Sequence, residues 1–186
     1  MPASQYRILV TQHDVTIDLN GFTIISSPAN QALIGVYGEA SGDFTGLEVM
    51  NGTIAGFQQY GVFNSDGART VVENMRLLSN GTGIWVGPES RIRNSTIANG
   101  GIGVRCYDSC LVEQNLITGH TSVGIEVSGG QVIANVIVAN RYGLSSFGAA
   151  TGYGGNMLFG NNGGGAQVTG GAAIQLHPNV CQPACR

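Results

Sequence analysis

The stretch Gly83-Ile84-Trp85-Val86, followed by Gly103-Val104-Arg105-Cys106 and then Gly124-Ile125-Glu126-Val127, decides how the chain is read. Each unit is a glycine, an apolar residue, a variable residue and a second apolar residue. The same unit occurs earlier as Gly35-Val36-Tyr37 and Gly61-Val62-Phe63, and later as Gly143-Leu144-Ser145-Ser146 and Gly165-Ala166-Gln167-Val168. Successive glycines lie 26, 22, 20, 21, 19 and 22 residues apart. A second marker keeps a similar spacing: an asparagine with an apolar residue three positions on, at Asn51, Asn74, Asn94, Asn135 and Asn156, with Asn115 in a copy shifted by one residue. Two independent markers with one period of about 21 residues identify a repeat architecture.

The repeat is built from strands. Apolar residues alternate in short runs such as Leu47-Glu48-Val49 and Ile84-Trp85-Val86, the period-two pattern of a strand. Gly, Asn and Ser break each run after a few residues, which is unfavourable to helix. About three short strands joined by tight turns fill a repeat of this length, the size of one coil of a parallel β-helix. In such a solenoid each strand pairs with the coils above and below at about 4.8 Å. The inward residues then stack into one continuous core. The fold expected is all-β, a single parallel β-helix solenoid of about seven coils of ~21 residues with three short strands each. Asparagine tolerates the left-handed backbone of sharp corners, so the series Asn51, Asn74, Asn94, Asn115, Asn135 and Asn156 is read as a hydrogen-bonded side-chain ladder. On that reading Asn94 is structural and Asn64 is an ordinary surface residue.

The repeat occupies residues 1–175, with an enlarged loop at 25–46 and a second Gly-rich excursion at 147–155. Residues 176–186 drop the pattern, carry Cys and Pro, and are expected to cap one end of the solenoid. Nothing before Val15 is long enough to cap the other end, so a preceding N-terminal portion is expected.

Val15-Thr16-Ile17-Asp18-Leu19-Asn20-Gly21-Phe22-Thr23-Ile24, with Asn51-Gly52-Thr53-Ile54 and Gly160-Asn161-Asn162-Gly163-Gly164, resembles bacterial right-handed parallel β-helix proteins over roughly residues 15–170. These are the pectate-lyase-like proteins with short β-helix repeats, including copper-accessory and mannuronan-epimerase-like members. The resemblance implies a right-handed solenoid. It leaves the activity open, because that group holds lyases, hydrolases, epimerases and non-enzymes.

Composition excludes several classes of function. Charged residues are 10% of the chain, every one of the 8 basic residues is arginine, and the net charge is −3. A basic nucleic-acid footprint is therefore absent. No apolar run approaches the ~18 residues of a membrane span. The first residues lack the apolar core of a signal peptide.

In the strand units the variable residue faces solvent when its apolar neighbours face in. That column reads Tyr37, Phe63, Trp85, Arg105, Glu126, Ser145 and Gln167. Tyr37, Phe63 and Trp85 are candidate ligand-binding residues, since aromatic faces suit sugar rings. Arg105 and Glu126 are the candidate catalytic pair, able to hold an acidic sugar or move protons. A plain ion pair on a structural face, or a subunit contact, is the competing reading. Glu48, Glu73, Arg93, Glu113 and Ala134 form a second, structural column. The Asp constellation and the Gly-His-Gly and Arg-Ile-Lys motifs of polygalacturonase-like hydrolases are missing, as is the Asp-Pro-His-Glu motif of the epimerases.

His13, His120 and His177 are far apart in the chain and are read as surface or loop residues, so no metal site and no cofactor are expected. Cys106 and Cys110, and Cys181 and Cys185, share one spacing. Local disulfides across a coil corner and within the tail are the reading favoured over zinc. They imply an extracellular or periplasmic protein. The function expected is a non-catalytic β-helix module that binds polysaccharide or serves as a scaffold. The alternatives are a polysaccharide lyase or glycoside hydrolase acting on an acidic polymer, and an oligomer-forming structural protein. The expected partners are a polysaccharide or a second copy of the chain, with no nucleic acid and no membrane span.

Overall fold

The computed structural model describes residues 5–27, 32–38 and 43–186. The chain winds as a right-handed parallel β-solenoid with three strands per coil. The first sheet stacks Tyr6–Val10, Ile34–Gly38, Tyr60–Asn64, Thr82–Val86, the first half of Ile102–Glu113, the first half of Val123–Ile133, Tyr142–Ser146 and Val168–Thr169. The second runs from Thr16–Asp18 to Ala173–Gln175, and the third from Thr23–Ile25 to Val180–Gln182. Every pairing is parallel, and a single 3₁₀ turn, Asn162–Gly164, is the one helical element among the described residues. The coil count is slightly different from the seven expected: six inner coils, paired on both sides, lie between two terminal ones.

Strand alternation sends one aliphatic column inward from each sheet. Val36, Val62, Ile84, Val104, Ile125, Leu144 and Val168 stack under the first sheet. Val49, Val72, Ile92, Val112 and Val132 stack under the second, and Ile54, Leu77, Ile97, Ile117, Ile137 and Leu158 under the third. All are buried. β-Branched side chains suit this pleated interior, and each such burial contributes about 2 kcal/mol.

The glycine period has a steric cause. Gly35, Gly61, Gly83, Gly103, Gly124 and Gly143 stack at an inward position where a Cβ would come within 2.8 Å of the carbonyl oxygen one coil further on. After Gly143 the position passes to Gln167. Leu144 pairs with Val168, so the last unit is Gln167-Val168-Thr169, and the residue expected to face out, Gln167, is buried.

Two corners carry buried polar ladders. Between the second and third sheets, the Asn115 amide N–H and Nδ2 both donate to Asn135 Oδ1 at 3.0 Å. Asn135 bonds Asn156, and Asn156 bonds Asn179, in the same way. Each Nδ2 also donates to a strand carbonyl, Ile92, Val112 or Val132. The ladder starts at Ser95, whose N–H donates to Asn115 Oδ1 and whose hydroxyl accepts from Met75 N–H. Between the third and first sheets, Asn140 and Asn161 repeat the pattern, and Gln167 Oε1 accepts both Asn161 donors.

The ladder predicted from sequence therefore merges two adjacent columns. Asn115, Asn135 and Asn156 are buried, whereas Asn51, Asn74 and Asn94 sit one residue earlier at positive-φ corners with their side chains outward. Asn94 is exposed and Asn64 is buried, donating to Thr70 Oγ1 and the Phe44 carbonyl. Both expectations for that pair are reversed.

Two boundaries also shift. Within segment 25–46, Ile34–Gly38 is a strand of the second coil, and residues 28–31 and 39–42 lie outside the described residues. The repeat continues past residue 175: Val180–Gln182 pairs with Met157–Phe159. The chain then passes over the first sheet, where Gln167 and Val168 N–H groups donate to Ala184 and Cys185 carbonyls.

Candidate functional site

The strand register places Leu9, Tyr37, Phe63, Trp85, Arg105, Glu126, Ser145 and Thr169 in one outward column along the first sheet. All five site residues expected from sequence are brought together there, each one coil from the next. Thr169 stands where Gln167 was expected. Tyr6 and Tyr60 flank the column from the first positions of their strands, and Tyr107 and Phe147 from two residues beyond Arg105 and Ser145; their participation was hidden because they lie outside the repeating unit.

The rings pack on one another. Tyr6 stacks on Tyr37 at 5.4 Å between centroids, and Tyr37 on Phe63 at 5.6 Å. Phe63 and Tyr60 meet Trp85 edge to face at 5.4 and 5.5 Å. Tyr107 meets Trp85 at 6.2 Å and Phe147 at 5.5 Å. Such pairs contribute about 0.5–1.5 kcal/mol each beyond burial. They leave Tyr37, Phe63 and Trp85 half-buried, Tyr37 and Phe63 stacked on each other and Trp85 edge to face with its ring neighbours.

Arg105 closes the row. Its guanidinium carbon lies 4.7 Å from the centre of the Trp85 ring, and its Nε donates to Glu126 Oε2 at 2.6 Å. Both side chains are about a quarter exposed, 23% each. The cation is thus held between an aromatic face and a carboxylate. Burial raises the Tyr107 phenol above its ordinary value; Arg105 opposes that shift and Glu126 adds to it.

On the second sheet Glu73, Arg93 and Glu113 do share a column, and Glu73 and Arg93 form an ion pair. Glu48 belongs to the neighbouring column with Arg91, and Ala134 is a positive-φ corner residue. Cys106 pairs with Cys110 across the corner between the first and second sheets, and Cys181 pairs with Cys185 in the tail. His13 and His177 are exposed, as expected, but His120 is buried at 2% exposure. Among the described residues, no three His, Cys, Asp or Glu side chains are grouped to hold a metal ion. No helix is long and apolar enough to cross a membrane.

The family model for the right-handed β-helix region matches residues 3–140 and, in a second register, 35–181. The chain belongs to the right-handed β-helix family. The overlap of the two matches follows from the repeat, since shifting the solenoid by whole coils superposes strand on strand. No curated protein and no solved structure matches this β-helix significantly.

Proposed function

We propose that this β-helix is a non-catalytic extracellular or periplasmic module that binds an extended polysaccharide along the outer face of its first sheet. The observation that carries the reading is the unbroken aromatic row Tyr6, Tyr37, Phe63 and Trp85, which follows the solenoid axis over successive coils. The half-buried rings of the row are accompanied by the phenols of Tyr6, Tyr37, Tyr60 and Tyr107, so apolar and hydroxyl groups lie together along it. A glycan chain alternates C–H and hydroxyl groups on a comparable scale, so both kinds of surface find partners on such a ribbon. The paired disulfides support an oxidising compartment. The tail, folded over Gln167 and Val168, serves in this reading to close the C-terminal end.

The pairing of Arg105 with Glu126 argues against the lyase or hydrolase alternative. A general base must reach the proton it abstracts, and here each group is engaged by the other. A second reading, in which the row is structural or forms a contact between copies, is favoured by the ring-on-ring packing itself.

The test is binding of wild type and Trp85→Ala to a panel of neutral and acidic polysaccharides, with product analysis and sedimentation in parallel. The binding module predicts retention of at least one polysaccharide, no shortened or unsaturated product, and a loss of about 1–3 kcal/mol in the variant, the scale of removing an aromatic anchor. Binding of no polysaccharide, with a changed oligomer in the variant, would replace this reading with the contact between copies.

A further inference from the structure

His120 occupies a position that asparagine fills elsewhere. In the ladder between the third and first sheets, Asn80 Oδ1 accepts from Phe57 N–H and Asn80 Nδ2 donates to the Ile54 carbonyl, both at 3.0 Å. Asn140 receives the His120 N–H and donates to the Ile117 carbonyl. Between these rungs the imidazole performs both amide tasks. Nδ1 accepts from Gly100 N–H at 3.3 Å, and Nε2 lies 3.1 Å from the Ile97 carbonyl oxygen.

These partners dictate the tautomer. A backbone N–H can only donate, so Nδ1 must present its lone pair, and the carbonyl requires the proton on Nε2. The neutral ring satisfies both contacts. The imidazolium places a proton on Nδ1 facing the Gly100 N–H, and that hydrogen bond is lost. An asparagine amide cannot be switched in this way.

We propose that His120 makes the corner between the third and first sheets an acid-sensitive joint, at which the coil carrying Gly100 loosens from the coil carrying His120 when the ring is protonated. The groups facing the ring are the Ile97 carbonyl, the Gly100 N–H and the Gly103 backbone, whose Cβ position is 2.9 Å from Nε2, while Asn140 Oδ1 accepts from the His120 backbone N–H. The charged residue nearest along the ladder, Arg141, directs its guanidinium over the Tyr142 ring. Among the described residues no carboxylate is a hydrogen-bond partner that would stabilise the imidazolium.

Burial lowers the His120 pKa below its ordinary value, outweighing the hydrogen bond to the Ile97 carbonyl. The sign follows from linkage. The unfolded chain takes up the proton first, near the ordinary value of about 6.5, while the folded ring stays neutral. Stability from this site is complete above that value and is lost as the pH falls from it toward the lower folded value.

The test compares thermal unfolding of wild type and His120→Asn at about pH 8 and about pH 5, either side of the ordinary histidine value. Wild type is expected to lose more Tm on acidification than the variant, whose amide keeps the ladder at both values; His13→Asn retains the wild-type loss. Equal losses in wild type and His120→Asn would overturn the proposal. A measurement on wild type alone keeps it falsifiable if the variant does not fold. Hydrogen-exchange protection of the Gly100 amide, corrected for the intrinsic rate, should fall on acidification by more than that of the Asn140 amide. Protection falling equally at both amides would contradict the joint.

Discussion

The corner between the second and third sheets is built in two ways along one solenoid. In the N-terminal coils the asparagines are outside: Asn74 Nδ2 donates to Asn51 Oδ1, and Asn51 Nδ2 to Asp18 Oδ1, from exposed positive-φ positions. The inward neighbours there are Gly52, Met75 and Ser95. In the C-terminal coils the outer position passes to Gln114, Ala134 and Gly155, and the asparagines move one residue inward as Asn115, Asn135 and Asn156. Asparagine thus does two unrelated jobs one residue apart. Outside, it tolerates a left-handed backbone. Inside, it satisfies an N–H and a carbonyl that the turn leaves without strand partners.

This difference predicts unequal mutational costs. Asn135→Ala removes the acceptor of both Asn115 donors and the donor to Val112 O, in a fully buried site. Denaturant unfolding should show a loss of about 3 kcal/mol, the scale of leaving buried polar groups unsatisfied. A loss under half of that would mean that neighbouring backbone relaxes to restore the bonds.

Gly103→Ala comes next. Its Cβ would press on the Gly124 carbonyl oxygen, His120 Nε2 and Ile117. The expected destabilisation is about 2 kcal/mol, that of an overpacked interior. Gly171→Ala, where no atom lies within 4 Å, serves as the control and should be close to neutral. Similar melting shifts for both glycines would undo the steric account of the period.

Asn94→Ala should have the smallest effect, about 1 kcal/mol, because alanine pays only the left-handed backbone cost at φ 50°. Asn94→Gly should recover it. An Asn94→Ala loss equal to that of Asn135→Ala would erase the distinction between the two columns.

The sequence made the solenoid legible because the cause of the glycine period acts in every inner coil. A side chain would strike the next coil at Gly35 as at Gly143, so the marker persists. The outward column was legible for the same reason, since strand alternation fixes the faces of Tyr37, Phe63, Trp85, Arg105 and Glu126 together. The ladder was misregistered because both columns use asparagine and a step of one residue leaves the period intact. His120 was hidden because an imidazole among amides breaks the residue pattern while keeping the hydrogen-bond pattern. Gln167 was misplaced because Gly165 copies the glycine marker two residues early, while the register sets Val168 opposite Leu144. How the rings meet, stacked at Tyr37 and Phe63 but edge to face at Trp85, depends on side-chain packing that the column order does not specify.

The central claim is that buried side-chain ladders at the corners, and not the strands alone, hold the coils in register. Native-state hydrogen exchange of the wild-type protein tests it directly. The turn amides of Asn115, Asn135, Asn140 and Asn161, which donate to buried side-chain oxygens, should exchange as slowly as the amides of the strands Val123–Ile133 and Val136–Val138. Exchange of those four amides at the rate of an open turn, while the strand amides remain protected, would contradict it.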